Sequence, residues 1–306
     1  MSKKTAQKRR RRAYLYLLIN TICWGAALVV VKPALEFTTP FRFLLYRYLI
    51  AGLFFSLPYL YLNRKKLKKI KLTKIILIEL QGTVFSLSIL FSGLARTSAI
   101  EASLIGTTGP VFITLAGIIL LRERQERWEW LGLILSLIGS LLIVATHNGF
   151  ENQISLSGNL LVLGFNVTNA LYFILAKKHY HTLSKSIVGA ISFLVGIFGF
   201  LMINLVIFQG NLLQLTNLIF QDWIHFEVQL ASIYMAIFGS VIGLIAYIKG
   251  QDKIEASEAG LFTYLQPLIY LPLGILVLKE AIYTQQILGL LIVFLGVLVA
   301  EKRSHL

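Results

Sequence analysis

Glu79, Thr83 and Ser86 recur at the spacing of one helical face inside a long apolar run. A carboxylate placed there can serve as a proton or substrate carboxylate, or it can snorkel toward Lys71 or Lys74 in the basic connection just before it. Arg47 stands about two turns inside the preceding run, where an unpaired guanidinium is expensive. Two arrangements answer that cost: bidentate binding of a substrate carboxylate or phosphate, or pairing with Glu36 or a backbone carbonyl. Lys32 poses the same alternatives. Ser98 and Glu101 make an S-x-x-E capping box, in which a carboxylate meets the free amides and positive dipole end of a helix. Glu258 sits similarly early in its own run, three residues after Glu255. Capping and proton coupling are the two readings of both. Pro110 and Pro267 interrupt apolar runs, either as gating or cavity-shaping kinks or as packing kinks.

A second stripe beside Glu79, Gln81-Phe85-Ser88-Ser92, mixes polar groups with an aromatic ring, which suits a solvated cavity better than lipid. Four other runs carry the same mixture: Asn20 with Trp24; Asn166, Asn169 and Tyr172; Ser240 and Tyr247; Thr263, Gln266 and Tyr270. If these groups converge they can hold an amphipathic metabolite. If they do not, they serve as interhelical hydrogen bonds. No catalytic set accompanies them. His147, His179, His181, His225 and His305 are scattered and the single cysteine, Cys23, lies in an apolar run, so neither a metal nor a cofactor is expected. A membrane-embedded enzyme would need an interfacial His/Asp group, and a non-transporting scaffold would need every polar stripe satisfied and closed.

The elements that must position these residues follow from composition. Of 306 residues, 57% are hydrophobic and 14% charged, against roughly a quarter charged in soluble domains. Ten apolar runs, at 13–31, 41–62, 72–94, 99–121, 128–145, 158–177, 186–208, 230–249, 257–278 and 283–300, are long enough to cross a bilayer as helices. The excess of Lys and Arg, a net charge of +15, sits in the N-terminal segment 1–12, the connection 64–74 and alternate later connections. That partition describes a multi-pass protein of the cytoplasmic membrane with both termini cytoplasmic. Nucleic acid is excluded as a partner. The expected partners are a small-molecule substrate and a bilayer with anionic lipids at the basic N-terminus, the chain being a monomer or homodimer. The longest external connection, 209–229, has no Lys or Arg and contains Trp223, His225 and Phe226; it reads as an interfacial aromatic anchor or an ordinary loop.

The chain repeats itself. At an offset of 157, Ala99, Glu101, Ala102, Pro110, Glu123, Gly132 and Gly139 fall on Ala256, Glu258, Ala259, Pro267, Glu280, Gly289 and Gly296. Earlier in each half an offset of 146 pairs Asn20 with Asn166 and Lys32 with Lys178, so the connections differ by 11 residues. Five spans per copy make the repeat inverted, as alternating access requires. The expected fold is an all-α membrane protein of ten transmembrane helices in two inverted five-helix repeats, 13–150 and 151–302. The seven-residue glycine spacings, Gly132 with Gly139 and Gly289 with Gly296, predict close helix packing.

Trp24-Gly25 followed by Lys32, Arg47 within Leu45-Tyr46-Arg47-Tyr48-Leu49, and the two copies of the Ala-x-Glu-Ala … Pro … Glu … Gly … Gly pattern resemble the drug/metabolite transporter superfamily, in its ten-helix EamA type. The resemblance covers nearly the whole chain. It implies secondary transport of small metabolites without ATP, often export of amino acids or related compounds. Ala170 stands where the second copy would repeat the tryptophan, a departure that bears on how symmetric the cavity is.

Overall fold

A backbone in hydrocarbon must satisfy its own hydrogen bonds, which leaves a long apolar run one choice, the helix. The computed structural model describes residues 3–67, 72–121, 127–145, 153–180, 183–251, 262 and 265–300, and every regular element among them is helical. In chain order these are α1 (Arg11–Glu36), α2 (Pro40–Leu62), α3 (Leu72–Leu94), α4 (Ala99–Leu120), α5 (Arg127–Ala145), α6 (Leu156–Tyr180), α7 (Ser186–Ile207), α8 (Leu212–Asp222), α9 (Phe226–Tyr247), α10 (Pro267–Val277) and α11 (Thr284–Ala300). Seven, α1 to α4, α6, α7 and α9, are long and apolar enough to cross a membrane, and α5, α10 and α11 are shorter apolar helices. Large apolar side chains such as Leu62, Val206 and Leu276 are about four-fifths exposed, as on a surface whose solvent is lipid.

The packing follows the repeat. α6 lies along α3 and α4 while α1 lies along α9 and α10; α2 packs on α7, and α5 on α11. Exchanging the first five spans for the last five reproduces the same contacts, which is what a pseudo-two-fold axis demands. The α5–α11 contact is backbone to backbone. A Cβ on Gly139 would stand 2.6 Å from the Gly289 carbonyl oxygen, and one on Gly296 would stand 2.6 Å from that of Gly132, so the glycine spacing does mark close packing.

Several helices are interrupted. α4 breaks at Thr107–Thr108, and Pro110 lies in the first turn of its second piece, which begins at Gly109; Pro267 is the first residue of α10. Both prolines therefore open a helical segment instead of kinking a continuous one, because a first-turn residue has no intrahelical N–H bond to lose. Wider π turns occupy Gly52–Ser56 in α2, Leu80–Ser86 in α3 and Met235–Ile242 in α9.

The connections divide between two ends. The C-terminal end of α2 and the α6–α7 corner mark the basic end. The corners after α1, α3 and α10, together with α8, mark the other, called distal here.

Candidate functional site

Glu79 ends the regular part of α3 and is completely buried. Its carboxylate accepts hydrogen bonds from Thr83 Oγ1 (2.8 Å), Tyr180 Oη (2.9 Å) and Tyr172 Oη (3.1 Å). Thr83 also meets Ser192 Oγ of α7 at 2.9 Å. Tyr172 reaches the carboxylate because residue 82 is glycine; a Cβ there would lie 2.0 Å from the tyrosine ring. Snorkelling is thus corrected: Lys74 is exposed while the carboxylate points inward, and Lys71 lies outside the described residues. Among the described residues no basic side chain is within ion-pair distance of Glu79. Hydroxyl donors from α3 and α6 solvate it instead.

Arg47, also buried, is paired with neither Glu36 nor a carbonyl among the described residues. Its Nε donates to Ser240 Oγ at 2.9 Å, and its guanidinium carbon lies 5.2 Å from the centre of the Tyr48 ring. Ser240 belongs to the π turn of α9 and donates to the Met235 carbonyl. A π turn frees carbonyls from the regular ladder, and α1 supplies donors beside it: Trp24 Nε1 to Gly239 O and Asn20 Nδ2 to Gly243 O, both 3.0 Å. Trp24 also packs on Tyr247, with ring centres 5.4 Å apart. Asn20, Trp24, Arg47 and Tyr247 are therefore gathered around one interrupted helix.

α6 serves the break in α4 similarly. Asn166 Nδ2 donates to Ile105 O (2.8 Å) and Thr108 Oγ1 (3.0 Å). In the other half Thr21 Oγ1 donates to Phe262 O at 3.0 Å, and Ile105 and Phe262 are related by the repeat offset of 157. Gln81 Nε2 donates to Thr168 O, leaving its Oε1 buried without a partner, and the Tyr270 hydroxyl is likewise buried and unpartnered among the described residues. Ser88 is turned onto its own helix, donating to Val84 O. Asn169 and Gln266 are half-buried. Phe85 departs from the predicted stripe and is 57% exposed, because the π turn at Leu80–Ser86 inserts a residue and breaks the 3.6-residue register the stripe assumed. Glu258 and Thr263 lie outside the described residues.

The distal end is cross-linked. Lys32 Nζ donates to Leu94 O (2.8 Å) and Thr97 O (2.5 Å), so it serves the end of α3. Ser98 Oγ accepts from the Glu101 N–H as the capping box predicts, and the Glu101 carboxylate accepts from Thr97 Oγ1 and Gln286 Nε2. A second cap was not foreseen: Glu280, beyond α10, accepts the Ala99 and Ile100 N–H groups at 2.7 Å each, so one repeat caps a helix of the other.

Asp222 was missed altogether. It is 3% exposed and accepts from Arg42 Nε (2.7 Å), Arg42 Nη2 (3.2 Å), Tyr46 Oη (2.6 Å) and the Thr38 hydroxyl. It ends α8, within the connection read as a loop or anchor. The available signal was Asn211, whose side chain caps Gln214 N ahead of an apolar helical pattern. A cleft of about 270 Å³ lies nearby, between Thr39–Phe41, Ser92–Arg96 and Asn204–Phe208. Of the residues expected to line a cavity, Ser92 alone borders it.

The EamA-like transporter family model matches residues 11–145 and again 156–301. The uncharacterized transporter YetK of Bacillus subtilis (strain 168) is 26% identical over 95% of this chain and 87% of its own length. YyaM of the same organism is 25% identical, covering 94% and 93%. An uncharacterized transporter of Archaeoglobus fulgidus is 22% identical over 95% of this chain and 99% of its own. One solved crystal structure superposes with a TM-score of 0.66, at 18% identity and over 95% and 97% of the two chains, a likeness of fold alone.

Proposed function

The chain belongs to the EamA-like transporter family, and from that premise we propose that it exports a small amphipathic metabolite, an amino acid or a related compound, across the cytoplasmic membrane by alternating access. The observation that carries the proposal is the matched pair of interruptions. α4 breaks beside Asn166 and α10 begins at Pro267, with α6 and α1 donating to carbonyls at equivalent positions, Ile105 and Phe262. Two halves that can exchange arrangements supply two states of similar energy, and interrupted helices at matching places point to the binding region between them. The partition of basic residues supports cytoplasmic termini and an external distal end.

Within this reading Glu79 is the proton-coupling group. Its donors are all hydroxyls, so gaining or losing a proton breaks no ion pair. Glu101 instead serves structure, its carboxylate held by Thr97 and Gln286. Trp24, Tyr247 and Gln81 supply the mixed aromatic and polar surface that an amphipathic solute needs.

The test is flux in proteoliposomes of purified protein with labelled amino acids, sugars and phosphorylated metabolites, with and without a pH gradient. Saturable, competable flux of amino acids or related amphipathic compounds is expected, accelerated by the gradient. Folded protein that moves none of these classes refutes the proposal.

A further inference from the structure

α8 is 11 residues long, and the offset that relates the two repeats rises by the same number, from 146 before it to 157 after it. It is therefore an addition to the second repeat. The first repeat has at this place the connection 63–71, which is rich in Lys and Arg; around α8, from 209 to 229, there is none.

At 3.6 residues per turn, α8 divides into three faces. Leu215 and Asp222 are buried against the protein, with Leu218 and Ile219 half-buried beside them. Gln214, Asn217 and Gln221 form an exposed polar face. Leu213 and Phe220, with Leu212 at the margin, form a third face that is apolar yet exposed: 72%, 75% and 59%. A helix between water and protein needs two faces. A third, apolar and uncovered, calls for another apolar medium, and the chain on either side shows which one. Val206 and Ile207 end α7, Phe226 and Leu230 begin α9, and all four are exposed on helices that cross the membrane. α8 thus joins two lipid-facing surfaces where they leave the hydrocarbon.

We propose that α8 is an interfacial helix whose partner is the lipid surface of the distal leaflet, entered by Leu213 and Phe220 and held at fixed depth by the Asp222 knot to Thr38, Arg42 and Tyr46. The attraction is hydrophobic, because α8 offers no cation to an anionic headgroup. The knot gives it purpose: the connection between α7 and α9 is tied to the start of α2, so these helix ends share one reference depth.

The experiment places a nitroxide on the full-length protein in phosphatidylcholine vesicles, through Leu213→Cys, Phe220→Cys, Gln214→Cys and Gln221→Cys in turn. The wild-type chain, whose single cysteine is buried, sets the background. Oxygen is expected to relax the labels at 213 and 220 more than a water-soluble nickel chelate does, with the opposite order at 214 and 221. Adding anionic lipid is expected to leave that order unchanged. Chelate access at all four positions would put the helix in water, and protection of 213 and 220 from both reagents would mean a protein partner; either result overturns the proposal, as would an order that appears only with anionic lipid. All four positions are exposed, so the labels leave folding intact.

Discussion

Asp222→Ala tests the distal knot most sharply. The side chains of Arg42 and Asp222 are 10% and 4% exposed, so solvent cannot replace the lost carboxylate without rearrangement. The substitution strands a guanidinium, the Tyr46 phenol and the Thr38 hydroxyl at once. Breaking a buried pair by removing one partner costs about 3–5 kcal/mol, and each stranded neutral donor about 1–3 kcal/mol. Because the donors share one acceptor these costs do not add, and a total of about 4 kcal/mol is taken, within the range for a buried pair. At roughly 2–4 °C per kcal/mol for chains of comparable length, the melting temperature should fall by on the order of 10 °C. Cys23 provides the assay: it is 6% exposed, so a thiol-reactive fluorophore reports its release on heating. The double variant Arg42→Met/Asp222→Leu removes both charges and should recover most of the loss, since apolar replacement of a buried pair is close to neutral. A drop below about 2 °C, less than 1 kcal/mol on that scale, refutes the reasoning, as does a double variant less stable than the single one.

Glu79→Gln should abolish the effect of a pH gradient on flux while gradient-free exchange persists; gradient-driven flux equal to wild type removes Glu79 from the coupling. Gly139→Val should destabilise the protein by roughly 1–3 kcal/mol, the cost of overpacking, because its side chain would enter the Gly289 backbone; an unchanged melting temperature would mean that α5 and α11 separate easily. Glu280→Ala should cost about 0.5–2 kcal/mol, the value of a helix cap, and Glu280→Gln less, because its amide oxygen still accepts one of the two N–H groups; equal melting curves for the wild type and both variants would show that the cap contributes nothing.

Much of the architecture was legible because hydropathy and repetition are properties of the chain in order. An apolar run has one backbone solution in lipid, so among the described residues the long and shorter apolar helices fall on the ten runs, and α8 lies between two of them. The paired offsets anticipated that α1 and α6 would hold equivalent neighbours. The Ser98–Glu101 cap and the glycine contact between α5 and α11 were legible for a similar reason: each depends on a local rule or on the size of a single residue. The polar stripe through Gln81 and Phe85 was misplaced because it presumed a constant 3.6-residue period, and the π turn at Leu80–Ser86 changes that period inside the stripe. Asp222 was invisible because its partners are more than 170 residues away in sequence, and the pattern around it is too short to stand out among membrane spans.

Residue order, hydropathy and charge suffice for the number of spans, the inverted repeat and the end where basic residues collect, since each follows from how a local segment partitions between water and lipid. Folding in three dimensions decided which charges meet. Glu79 faces two tyrosines and a threonine instead of lysine, Arg47 finds a serine on α9, and Glu280 caps the helix that opens at Ala99. Buried polar groups must be matched wherever packing leaves them, and that matching depends on distances between helices, which no single stretch of sequence contains.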